Sequence, residues 1–127
     1  MNAPPMGIVY ATVTVFSPDR TRSTEIRLPV DTGSVLSWLP RSLLAELGIV
    51  PLRSRTFRTI DGGEPIREVG EAPIRCQGVP GTVPVVFAEE SDACVLGVTA
   101  LEMLGLAVDP STGHLEEEDV SLALATT

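Results

Sequence analysis

Histidine occurs once in this 127-residue sequence, as His114, and cysteine twice, as Cys76 and Cys94. One histidine leaves no room for a histidine-based triad or a multi-histidine metal centre. Two cysteines make neither a disulfide framework nor a zinc site. No metal and no cofactor is therefore expected. No apolar run approaches the ~20 residues that cross a bilayer, so no membrane partner is expected. The first residues, Met1-Asn2-Ala3-Pro4-Pro5-Met6, have no basic n-region and no apolar h-region, so cytoplasm is the default expectation. Basic residues are few, and the formal net charge of -8 excludes nucleic acid, whose backbone would repel it. What remains for catalysis is mostly carboxylates.

Hydrophobic content of 43% and a mean hydropathy of +0.24 indicate a chain that folds on its own core. Its length suits one domain. The expected domain spans 1–127, with a core over about 8–115 and an acidic, loosely held tail over 116–127 that begins Glu116-Glu117-Glu118-Asp119.

Val9 to Val15 alternates apolar and polar residues with β-branched enrichment, which reads as a strand. Ser17-Pro18-Asp19-Arg20 is a turn, and Thr24 to Leu28 returns as a second strand. Pro40 to Gly48 reads as a short helix, with proline in the first turn and glycine at the end. Thr56 to Ile66 reads as two extended arms around Asp61-Gly62-Gly63, a strong hairpin signal. Glu71–Cys76 and Thr82–Phe87 read as two short strands, whose prolines suggest edges or bulges. Cys94-Val95-Leu96-Gly97 reads as a buried strand. Thr99–Leu104 reads as a helix capped by Thr99 and closed by Gly105. Asp109 to Gly113 is a further turn, its Ser111-Thr112-Gly113 lacking a carboxylate. Strands at this spacing, with one or two short helices, point to a small all-β barrel or sandwich.

The carboxylate in the most informative setting is Asp31, in Asp31-Thr32-Gly33-Ser34 between two apolar segments. The four residues alone are equally consistent with an Asx-turn. In order along the chain, they are followed by Trp38-Leu39-Pro40 and a helix, by the hairpin at Asp61-Gly62-Gly63, by Val95-Leu96-Gly97, and by the run Val98 to Pro110. That order resembles the retropepsin-like aspartic proteases, a single-lobed family with bacterial members, over about Val9 to Leu115.

The resemblance implies a closed acid-protease β-barrel that works as a homodimer. It implies Asp31 as the catalytic residue, one per subunit, facing its copy across a two-fold axis. Two carboxylates about 3 Å apart share a proton, one activating water and the other protonating the leaving amine. Thr32 would lock the two loops together across the axis, and Gly33 would admit the substrate backbone. Ser34 would either bond the Asp31 carboxylate or serve as a simple turn residue. Asp61, Gly62 and Gly63 would form the flap over an extended peptide substrate, although charge at Asp61 and Glu64 departs from the apolar tips of many relatives. Val95, Leu96 and Gly97 would pack beneath the catalytic loop. Trp38 is expected in the core, and Asp92 and Asp109 are assigned no catalytic role. The same fold could instead serve as a catalytically silent peptide-binding or regulatory module.

Overall fold

The computed structural model describes residues 7–118. In chain order the elements are β1 (Tyr10–Phe16), β2 (Ser23–Asp31), β3 (Ser37–Pro40), α1 (Arg41–Glu46) and β4 (Arg53–Thr56). They continue with β5 (Ile66–Cys76), β6 (Val79–Ala88), β7 (Leu96–Gly97), α2 (Val98–Leu104), β8 (Leu106–Asp109) and β9 (His114–Glu117). Neither helix is long and apolar enough to cross a membrane, among the described residues.

Seven strands form one sheet in the order β3-β6-β5-β1-β2-β7, with β4 added to β5. The two ends of that path meet, because Trp38 of β3 and Val95 before β7 exchange both backbone hydrogen bonds, at 2.9 and 3.1 Å. The sheet therefore closes on itself as the all-β barrel expected from the resemblance. Its interior holds the alternate residues of each strand, among them Val13, Val15, Leu28, Ile74, Val83, Val85 and Phe87, all 2% exposed or less. Helix α2 plugs one side of this core through Ala100, Leu101 and Leu104.

Besides Pro40, which ends β3, four prolines lie within strands, and each sits where the strand has a partner on one side only. Pro29 precedes the β7 pairing of β2, which begins at Val30. Pro73 lies just past the last β1 partner of β5, Ile74. Pro80 and Pro84 precede Val85, where β3 begins to pair with β6. A missing N–H costs nothing where no ladder bond is needed. The short strands expected around these prolines are consequently two long ones, β5 and β6, in antiparallel register from Val69↔Val86 to Cys76↔Val79. A two-residue turn at Gln77 and Gly78, with φ of 53° and 77°, joins them in place of the longer loop expected over 77–81.

The helix after Gly97 begins one residue earlier than expected. Gly97 is its N-cap, and the Thr99 amide is already donated to the Val35 carbonyl, so Thr99 is not a cap. Gly105, with φ of 69°, closes it as expected. Glu116 and Glu117, assigned from sequence to the tail, are instead paired with Ala107 and Leu106 in β9. The Glu118 amide donates to the Gly105 carbonyl at 2.7 Å, and 119–127 lie outside the described residues.

Candidate active site

Asp31 is the last residue of β2, where the strand leaves the barrel beside β7, with Val30 paired to Leu96 and Asp31 to Gly97. Its side chain is exposed at the mouth of the loop. The loop turns at once: the Gly33 amide donates to Asp31 Oδ1 at 2.9 Å and the Ser34 amide to the Asp31 carbonyl at 3.1 Å. Thr32 is exposed at the apex. Ser34 does not bond the carboxylate, as one expectation had it. Its hydroxyl donates to the Leu36 carbonyl two residues on, at 2.7 Å.

The loop is fixed from below by Gly97 and the start of α2. Val98 donates to the Ser34 carbonyl at 2.8 Å and Thr99 to the Val35 carbonyl at 3.0 Å. The Gly97 amide donates to Oγ of the buried Ser37 at 2.9 Å. A Cβ at Gly97 would stand 2.4 Å from the Leu36 carbonyl oxygen and 2.8 Å from that of Ser34, so only glycine lets the two backbones approach. Leu96 is buried beneath, and Val95 is half-buried at the cleft wall.

Above the loop, Thr59 to Gly63 form the tip of the hairpin between β4 and β5. Phe57 donates to Pro65 at 2.8 Å and Thr59 to Gly63 at 2.9 Å, which continues the ladder toward the tip. Gly62 turns with φ of 89°. Asp61 Oδ1 accepts the Thr59 hydroxyl and, at 3.2 Å, the Gly63 amide. Those bonds, the Thr59 one foremost, hold its pKa below the ordinary carboxylate value. The charge at Asp61 is thus spent inside the turn, while the neighbouring Ile60 projects fully into solvent. Glu64 lies 3.8 Å from Arg58.

Between loop and hairpin is a cleft of about 250 Å³, lined by Asp31, Ser34, Trp38, Thr59, Pro65, Asp92, Ala93 and Val95. Trp38, expected in the core, does both jobs. It is half-buried against Phe57, ring centroids 5.1 Å apart and edge-on, and it also lines the cleft. Among the described residues, Asp92 is the one other carboxylate lining this cleft, and Arg67 holds it in a two-pronged ion pair at 2.6 and 2.9 Å. The Arg67 guanidinium is the main cause of an Asp92 pKa below the usual range.

The structure therefore gathers Asp31, Ser34, the 59–63 hairpin and Val95 around one space, with Leu96 and Gly97 below. Sequence reading missed Ser37, Arg67 and the cleft-facing side of Trp38. The Ser37–Gly97 bond spans 60 residues and the Arg67–Asp92 pair 25, and no local pattern signals either. Cys76 is buried and Cys94 half-buried against the core; burial raises both thiol pKa values. His114 is exposed. Among the described residues, no group of three or more His, Cys, Asp or Glu is placed to hold a metal ion.

Comparison with curated proteins finds none that matches this chain. A family model does match: that of the aspartyl proteases, over residues 11–100, which takes in β1, the Asp31 loop, the hairpin and β7. With that match over most of its length, and a closed barrel that carries an Asp-Thr-Gly loop beneath a hairpin, the chain belongs to the aspartyl protease family, in its retropepsin-like form.

Proposed function

We propose that the protein is a homodimeric aspartic endopeptidase that hydrolyses peptide bonds in extended segments of protein substrates. The observation that carries this reading is the isolation of Asp31. An aspartic mechanism needs a second carboxylate close enough to share a proton. Among the described residues, Asp92 is the one other carboxylate lining the cleft, and its pair with Arg67 holds it ionised and engaged elsewhere. The partner must then be a second Asp31, brought by a two-fold axis through the exposed loop.

The surface beside that loop suits such an axis. Ile8, Val9, Val30, Thr32, Val108 and Pro110 line an apolar groove of about 440 Å³, and Ile8 is 67% exposed. Thr32, exposed at the loop apex, would bond the neighbouring loop across the axis. In the dimer, one Asp31 acts as base toward the water and the other donates to the leaving amine. Gly33 leaves room for substrate backbone, and the 59–63 hairpin supplies N–H and C=O groups to an extended peptide.

The test is a peptide-library digest between pH 4 and 7, with Asp31→Asn alongside and a central-hydroxyl transition-state mimic as inhibitor. Wild-type cleavage, inhibition by the mimic and a loss of at least ~10³-fold in Asp31→Asn are expected. Specific activity should also fall on dilution as the dimer dissociates. Full activity in Asp31→Asn, or activity in a sedimenting monomer, refutes the mechanism. Peptide binding without cleavage by the wild type would make the chain a silent binding module instead.

A further inference from the structure

The hairpin over Asp31 is anchored to the facing wall of the cleft by charge. Arg67, the second residue of β5, places Nε 2.6 Å from Asp92 Oδ2 and Nη2 2.9 Å from Oδ1. Their side chains are only 18% and 16% exposed. Asp92 Oδ2 also accepts the Glu89 amide at 2.8 Å, and Arg67 Nη1 donates to the Ile66 carbonyl at 2.9 Å. One residue further along, Glu68 accepts from Arg41 Nη1 at 2.6 Å, and Arg41 Nε reaches Glu89, also at 2.6 Å. Two successive residues of the returning arm are thus tied to the 89–92 segment, one directly and one through the first residue of α1.

Planar, two-pronged pairs withdrawn from water fix geometry in a way exposed pairs do not. Arg58–Glu64, on the same hairpin, shows the contrast: 3.8 Å apart, with side chains 83% and 62% exposed. The Arg67 pair also joins the two sides of one cleft. Thr59 and Pro65 line it from the hairpin, Asp92 and Ala93 from the wall.

We propose that Arg67 and Asp92 are a positioning pair, which sets the height of the hairpin over Asp31 and so the grip on a bound peptide. Neither residue touches the reacting atoms; they act through the base of the flap. This rests on the peptidase reading above. A hairpin held at its base opens by bending near the tip. Once the pair is cut, the whole arm pivots and the backbone donors that bind substrate lose their register.

The test compares full-length wild type with Arg67→Met, Asp92→Asn and Arg67→Lys, the last keeping the charge but losing the fork. Hydrogen exchange is read at Thr59, Gly62 and Gly63, and at Val13, Thr14 and Val15 of β1 as an internal reference. Trp38, the single tryptophan, stacks on Phe57 at the foot of the hairpin, so its emission reports the same change. Arg67→Met and Asp92→Asn should exchange about tenfold faster at the tip with β1 unchanged, and Arg67→Lys should fall between. In peptide hydrolysis, KM should rise about tenfold while kcat stays within about threefold. Unchanged tip exchange overturns the proposal, and so does acceleration that β1 shares, or an unchanged KM in variants that cleave. Faster tip exchange in a wild-type background that cleaves no peptide would sustain the positioning pair and defeat the peptidase reading.

Discussion

A methyl group at Gly97 would meet two carbonyl oxygens of the Asp31 loop below van der Waals distance, and both belong to backbone. Neither can rotate away, so the loop would have to rise. Gly97→Ala is expected to cost about 3 kcal/mol and to abolish peptidase activity, since overpacking against backbone relaxes poorly. Urea denaturation and a peptide assay check both halves of that expectation, and an unchanged midpoint would contradict it. Asp31, by contrast, is legible in the sequence because its neighbours are local: the Gly33 amide bonds its carboxylate from two residues away. Ser34 was legible only as one of two alternatives. Which acceptor its hydroxyl takes depends on how the backbone turns toward Leu36, and residue type does not state that.

Among the elements, the β5–β6 turn carries a local conflict. Gln77 and Gly78 both take positive φ, the geometry of a two-residue hairpin turn that favours Asn-Gly. Gln77→Asn should raise stability by about 0.5 kcal/mol, measured as a shift in denaturation midpoint at constant m-value. A fall in midpoint would show that Gln77 makes a compensating contact. The strands flanking this turn were read short because proline is a local stop signal. Its cost depends on whether a neighbour occupies that side of the strand, and β5 and β6 leave those sides empty at Pro73, Pro80 and Pro84. The turn at Asp61-Gly62-Gly63 is local, its bonds lying within five residues, whereas the strands of the hairpin are Arg53–Thr56 and Ile66–Cys76 rather than the arms expected within Thr56 to Ile66. Its relation to Asp31 across the cleft came from the fold.

At the scale of the whole molecule, acid should act on function and stability in opposite directions. On the proposed mechanism the Asp31 pair shares one proton and works best below neutral pH, so activity should rise as pH falls from 7. The folded state holds several carboxylates ionised. Asp19 is lowered to about 2, chiefly by the Thr21 amide, and Asp61, Asp92 and Asp109 are also lowered. A group depressed in the folded state contributes stability that is complete above its unfolded pKa, about 4. That contribution is lost as pH falls through the folded value. The melting temperature should therefore be flat from about pH 7 to 5 and drop below about pH 4, as calorimetry across this range would reveal. A melting temperature constant down to pH 2 would refute the assignment.

The sequence by itself determined the first two strands, the two short helices and the Asp31 turn, because alternation, turn glycines and the Asp-Thr-Gly turn act over a few residues. It also supplied one Asp-Thr-Gly and no second, which is why a half-site could be inferred at all. The tertiary structure decided what surrounds the Asp31 loop. Ser37 beneath Gly97, Trp38 on the cleft, and Arg67 clamped to Asp92 are meetings of residues distant along the chain. They arise when the sheet closes at Trp38 and Val95, and burial then rewards only those pairs that closure brings into contact.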